Sequence, residues 1–568
     1  MSGENNKSKL NVVIYWHMHQ PEYRDLRNGE YHLPWTYLHT IKDYVDMVAH
    51  LENNKEARAV VNFAPVLLEQ IDDYSEQLDG FLNRGKALRD PMLSALVEPV
   101  LPANADKRLQ IIKSCLRANK ERLIDRFEPF VLLAEMAEEA IKQPEMISYY
   151  SEQYFSDLLV WYHLAWIAET VRMSDQRIEF LTEKARHFSL HDRHSLLEII
   201  YELISSVIKR YKDLYDEGVI EISMTPYAHP IVPLLIDLES TTQAMPDASL
   251  PKVESYPAGD ERSHWHMQKG IEVFKHYFGR APSGCWPSEG SISEETVKLI
   301  DSEGIKWVAS GETVLRNSLK KSEIEADECI HSAYQYQQTD LRCFFRDDGL
   351  SDLIGFKYAD WHADDAVANL EHHLETIADK CAEKEDAIVS IILDGENAWE
   401  YYPFNAYYFI DTLYKKLTTN PRIKLTTYSE YIEKNQSTQP LEHIVAGSWV
   451  YGTFSTWIGE KDKNRAWEML VEAKLAYDRV IESGRLNHEE VRLAELQLAT
   501  CESSDWFWWF GEYNSAESVA AFDEQYRLHL GNLYQLLKVD PPDYLSTAFS
   551  FGTGHPAMGG AMLPGKQD

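Results

Sequence analysis

The stretch NVVIYWHMHQP, residues 11–21, decides how the rest of the chain is read. Asn11 to Trp16 form a short, apolar, strand-like run that breaks at once into the polar cluster His17-Met18-His19-Gln20-Pro21. Such a run, apolar on both alternations, marks a strand buried on both faces, as in a parallel sheet; a half-exposed strand would alternate. The pattern recurs at VVNFAP (60–65), IEISM (220–224), IKWVAS (305–310) and AIVSIIL (387–393), the last running directly into Asp394, Gly395 and Glu396. Helical patterns lie between, for example EETVKLIDSEG (294–304), which reads as a helix closed by glycine. Strand and helix alternating over about 400 residues predict an α/β barrel or a doubly wound sheet. Polar residues just after strands favour the barrel, because barrel active sites gather at the carboxyl ends of the strands.

Residues 105–217 break the rhythm with nearly continuous helical spacing, as in DLLVWYHLAW and SLLEIIYELISSVIKRY, and are expected to be a helical insertion. Beyond about residue 435 amphipathic helices take over, NRAWEMLVEAKLAYDRVIES, HEEVRLAELQLATCESSDWF and AFDEQYRLHLGNLYQLL. The expected organisation is a catalytic unit over 1–435 and a C-terminal helical module over 436–568, ending in a glycine-rich and mobile SFGTGHPAMGGAMLPGKQD. A chain of 568 residues exceeds what one core usually organises, in keeping with two units.

The net charge of −35 argues against nucleic acid or an anionic membrane as partner, since those need clustered Lys and Arg. A neutral polysaccharide meets no such penalty, and 15 Trp and 32 Tyr supply flat rings on which pyranose faces stack, although most such rings belong to cores. Six cysteines (Cys115, Cys285, Cys329, Cys343, Cys381, Cys501) without a CxxC pair fit reduced thiols. The N-terminal MSGENNKSKL has no signal-peptide pattern, and Leu158–Ala168 is too short to span a bilayer, so a cytoplasmic location is expected.

Two carboxylates stand where chemistry is done. Glu289, in GCWPSEGSISEETVKLI, sits in a polar turn between a Trp-Pro pair and a helix start. Asp394 follows a buried strand, where an ionisable group does not serve packing. Retaining cleavage of a glycosidic bond needs such a pair, about 5–5.5 Å apart. Local chemistry leaves rivals open: Asp394 serves equally as a cap for the following helix, and favourable electrostatics at a helix N-terminus suit Glu289 slightly better than catalysis. His17 and His19 point to one side of their strand, and an HxH at a strand end is also a metal-ligand pattern. With His229, Asp394 and Glu221 as further ligands, a metal-dependent amidohydrolase or deacetylase is a complete rival.

Five stretches in one order separate these readings. WHMHQP (16–21), GVIEISMTPYAHPIVPLL (218–235), CWPSEGS (285–291), LDGENAWEYY (393–402) and WVYGTFSTWIGEKDKNRAW (449–467) resemble the five sequence regions of glycoside hydrolase family 57. FRDDGLSDLIGFKY (345–358) and DWFWWFGEYNSAESVAAFDEQYRLHL (505–530) are similar to the same family, so the resemblance runs from residue 11 to about 545. It implies an incomplete (β/α)7 barrel followed by a helical bundle, acting on α-1,4 and often α-1,6 glucosidic bonds with retention. It places Glu289 at the nucleophile position and Asp394 at the acid/base position. His17, His19, Glu221 and Glu396 match polar positions around the distorted sugar, with His229 beside them. Trp286, Trp399 and Trp457 become stacking platforms, and Asp505 reaches in from the helical module. No metal or other cofactor is implied, and the histidines pass from metal ligands to sugar binders. The DGENAW and STWIG forms look more like amylopullulanase and α-amylase members than branching enzymes. The expected activity is therefore endo-hydrolysis of α-glucans, with transfer by a 4-α-glucanotransferase or branching enzyme as the alternative.

Overall fold

The computed structural model describes residues 9–324, 330–384 and 386–554. Seven parallel strands close into a barrel: β1 (Leu10–Met18), β2 (Ala59–Phe63), β3 (Ile220–Met224), β4 (Gly284–Cys285), β5 (Trp307–Gly311), β7 (Arg342–Arg346) and β8 (Ile388–Asp394). β1 lies between β2 and β8, and the pairing of Arg346 with Ser390 joins β7 to β8. Three short strands lie outside the ring: β6 (Tyr334–Tyr336), antiparallel to β7; β9 (Ile423–Leu425), paired with β1; and β10 (Gln439–Leu441), paired with β6.

Every residue of β1 is buried, which accounts for its unbroken apolar run. Inside the barrel Val13, Tyr15, Val60, Trp286, Trp307, Phe344 and Ile392 pack together, and the helix Tyr428–Lys434 closes the amino-terminal end with Tyr428 and Tyr431. The barrel is a packed core, so chemistry is confined to its carboxyl-terminal rim. Parallel register fixes what meets there: His17 lies level with Asn62 of β2 and Asp394 of β8. Gly395 is required by this packing, since a Cβ there would come within 2.2 Å of the Met18 sulfur.

Between β2 and β3 the chain is helical almost throughout, from Pro65–Arg84 to Leu190–Asp216. After β10 the helices Lys461–Glu482, His488–Cys501, Ser504–Trp509 and Ala516–Leu536 pack together, and Ala499 packs with Tyr227, Ala228 and Val273 of the barrel part. A buried ionic cluster joins the two parts: Glu502 accepts from Arg262 Nη2 and His266 Nε2, both at 2.7 Å, and from the Tyr256 hydroxyl. Against the opposing effect of burial, the Arg262 charge and the hydrogen bonds from His266 and Arg262 hold Glu502 well below the usual carboxylate range.

The expectation of six reduced cysteines needs correction. Cys115, Cys285, Cys343 and Cys501 are free and buried, but Cys381 is disulfide-bonded. Sequence spacing cannot reveal a bond between cysteines brought together only by folding. Cys329 and most of the glycine-rich C-terminal stretch expected to be mobile lie outside the described residues. No described helix is long and apolar enough to cross a membrane.

Candidate active site

A cleft of about 350 Å³ opens at the carboxyl-terminal rim, with Glu289 and Asp394 in its wall. Glu289 follows the two-residue β4 through Trp286, Pro287 and Ser288 and adopts a left-handed backbone, φ 58°. A non-glycine residue held in that region stores of order 1–3 kcal/mol and is retained where the surroundings fix it. The segment after the barrel does so: Trp449 N–H donates to the Glu289 carbonyl at 3.1 Å, and its indole Nε1 donates to Glu289 Oε2 at 2.9 Å. Arg346 lies 5.0 Å from the Trp449 ring and is itself held by the Ile392 carbonyl, Asp348 and Asp352.

Neither carboxylate is a helix cap. Ser293 caps the helix after Glu289, and the short 3-10 helix after β8 has no side-chain cap. Asp394 instead accepts from Asn397 Nδ2 at 2.8 Å. Burial and the Asp394 charge push Glu289 up to about 8, with the Trp449 bond pulling the other way. Burial raises Asp394 too, opposed by Asn397, His19 and Arg346. Glu396 is pushed well up, first by burial and then by Asp394. The carboxyls therefore titrate as a coupled set, each proton bound easing ionisation of its neighbours.

His17 Nδ1 donates to Asn62 Oδ1 at 2.6 Å, since an amide oxygen only accepts, and this leaves Nε2 as an acceptor. Burial pushes His17 down to about 3, so the imidazole is neutral. His19 Nε2 donates to Asp505 at 2.8 Å, and its backbone N–H reaches Glu396 Oε1 at 3.3 Å. Asp505 belongs to the helical module and is oriented by the Ser503 hydroxyl at 2.6 Å; next to it, Ser504 bonds His229 at 2.8 Å. The module thus completes the rim across nearly 500 residues of sequence, 486 between His19 and Asp505.

His19, His229 and Asp505 each place a ligating atom within 4.8 Å of the others, a possible metal grouping. The imidazoles are stacked 3.8 Å apart at 14°, however, so their nitrogen lone pairs run side by side rather than converging. His19 Nε2 and Asp505 are also committed to each other. The geometry favours polar groups that meet hydroxyls over a cation cage.

Of the residues expected at the cleft, His17, His19, Trp286, Glu289, Asp394 and Glu396 line it. His229 and Asp505 stand behind His19. Three other expected residues do not line the cleft. Glu221 lies two residues down its strand from the level of His17, inside the barrel, where it accepts from Trp307 Nε1 and from Ser429. Trp399 is buried against Trp16 and Tyr402 and donates to the Gly395 carbonyl, supporting the Asp394 loop from behind. Trp457 is fully buried against Trp508, and it is Trp508 that reaches the cleft. Trp449, Arg346, Asn397 and Tyr401 also line the cleft; Trp449 and Asn397 fall inside stretches that look functional, but nothing local singles them out.

The fold is similar to that of solved enzymes. A branching enzyme from Thermococcus kodakaraensis matches at a TM-score of 0.53 and 13% identity, covering 93% of this chain and 90% of that one. The α-amylase AmyC from Thermotoga maritima matches at 0.56 and 12%, covering 93% of each. A 4-α-glucanotransferase from Thermococcus litoralis matches at 0.52 and 13%, covering 94% of this chain and 61% of that one. No curated protein matches the chain by sequence. The model of glycosyl hydrolase family 57 matches residues 13–443, carrying β1, the Glu289 turn and the Asp394 loop, and the chain belongs to that family.

Proposed function

We propose that the chain is a retaining, α-glucan-active enzyme with Glu289 as nucleophile and Asp394 as general acid/base. The observation that carries this reading is that Glu289, in the turn after β4, and Asp394, the last residue of β8, line the wall of one cleft. Asp394 protonates the glycosidic oxygen as Glu289 attacks the anomeric carbon, and the bond to the leaving sugar breaks. Water or a glucan hydroxyl then displaces Glu289 while Asp394 takes back a proton. Trp449 holds one oxygen of Glu289 and leaves the other for attack. Burial raises Glu289 most and the Asp394 charge adds to it, so protonation of Asp394 removes one of the causes and favours ionisation of the nucleophile.

A sugar suits the surroundings. Neutral His17 offers an acceptor, while His19 Nδ1, His229 Nε2 and Glu396 Oε2 are buried atoms without a protein partner. Trp286 and Trp508 supply rings. The α-glucan assignment draws on the amylase, branching enzyme and glucanotransferase that share the fold. Hydrolysis of α-1,4 bonds, with α-1,6 cleavage alongside it, is the first reading. Transfer to a second glucan is the alternative, for which Tyr401 and the half-exposed Phe356 in the cleft wall offer rings.

Product analysis on amylose, pullulan and maltooligosaccharides, run with and without EDTA, tests the proposal. Maltotriose from pullulan marks α-1,6 cleavage, and oligosaccharides longer than the substrate mark transfer. Rates in EDTA should stay near their starting value; a loss restored by zinc contradicts the metal-free mechanism. No reaction on any α-glucan rejects the assignment.

A further inference from the structure

A second cavity, about 940 Å³, lies between the helix Ala105–Cys115, the helix Ala516–Leu536 and the loop after β1. It shares no lining residue with the catalytic cleft. Only one corner of the chain separates the two: Lys113, Ser114 and Arg117 line this cavity, while Asn119 and Arg122 line the cleft. From this arrangement we infer that the cavity is a second binding site for α-glucan, holding a distal part of a chain whose reacting end lies in the cleft. The inference rests on the α-glucan reading above.

Two features of the lining bear on a ligand. Gln525 lines the cavity, its amide nitrogen bonded to the Ala521 carbonyl and its buried Oε1 without a protein partner. Gly531 lies inside a helix, where glycine is less favourable than alanine, yet a Cβ there would meet nothing within 4 Å. Packing therefore does not require the glycine, and its effect is to keep this wall open. The charges point to a neutral ligand. Arg117 pairs with Glu517 and Arg527 with Asp523, both at 2.7 Å, leaving Lys113 among Glu524 and Asp543. No cationic excess remains to select an anion. Gln110, Gln525 and Gln535 offer amides that both donate and accept, as sugar hydroxyls do, and Pro34, Pro91, Pro541 and Pro542 give rigid apolar faces.

The test compares KM for amylose with KM for maltotetraose in the full-length protein, in Gly531→Phe, which fills the cavity, and in Gln525→Leu, which removes the unpartnered Oε1. The site predicts that the ratio of the two KM values rises about fivefold in Gly531→Phe and in the same direction in Gln525→Leu. Thermal melts establish that each variant is folded, and Gln525→Leu decides if the larger substitution is not. Turnover of both substrates with an unchanged ratio overturns the second site alone. No turnover of either by the wild-type chain overturns the α-glucan reading and this inference with it.

Discussion

Glu289→Gln lowers kcat on soluble starch by on the order of 10⁴-fold or more, because the covalent step has no other nucleophile and such residues act as a unit. Gln preserves the shape of the side chain and can still accept from Trp449 Nε1. The loss should therefore come without unfolding, and stability should move the other way. Glu289 is raised from 4.5 to about 8 in the folded protein, so the fold binds this proton more tightly than the unfolded chain does. That contribution to stability is fully present below about pH 4.5 and is lost as pH rises towards 8. The variant escapes the loss, so its melting temperature relative to wild type should increase between pH 5 and pH 8. Scanning calorimetry across that range, with steady-state rates, checks both halves. A variant that stays active, or melts progressively lower than wild type as pH rises, contradicts the role given to Glu289.

Trp449→Phe is expected to cut kcat/KM by about 10- to 100-fold, the worth of one hydrogen bond to a charged group at about 1.5–3 kcal/mol. Phe keeps an aromatic face beneath Arg346 but removes the N–H that reaches Glu289. The sign of the pH effect follows: that bond lowers the proton affinity of Glu289, so its loss raises it and less of the enzyme carries an ionised nucleophile at a given pH. The acid limb of the pH profile should shift to higher pH. A lower rate with an unmoved acid limb would mean that Trp449 only packs the segment in place.

Much of the barrel is legible in the sequence because burial on both faces writes itself as unbroken apolar runs, as in β1 and β8. β4 leaves no such mark, being only Gly284 and Cys285. β7 is obscured by its terminal arginines, since Arg346 is buried only by virtue of Asp348, Asp352 and the Ile392 carbonyl. Within the site, His17 and Asp394 are legible together because each ends a strand, and parallel register brings such ends to one level. An ionisable residue in a strand does not declare its height, and Glu221 bonds Trp307 and Ser429 below the cleft. Trp399 and Trp457 show the limit for aromatics: composition supplies rings, but only packing decides which face reaches a ligand. Trp449 meets Glu289 across 160 residues, and no local pattern encodes that contact.

On the proposed mechanism the glucosyl group rests on Glu289 between the two halves of the reaction. Incubating the enzyme with a 5-fluoro-α-glucosyl fluoride, digesting it and sequencing the labelled peptide by mass spectrometry tests this most directly. One added fluoroglucosyl group is expected on the peptide containing CWPSEGS, attached at Glu289 and absent from Glu289→Gln. A label on another carboxylate, or turnover with inversion at the anomeric carbon and no label, would contradict it.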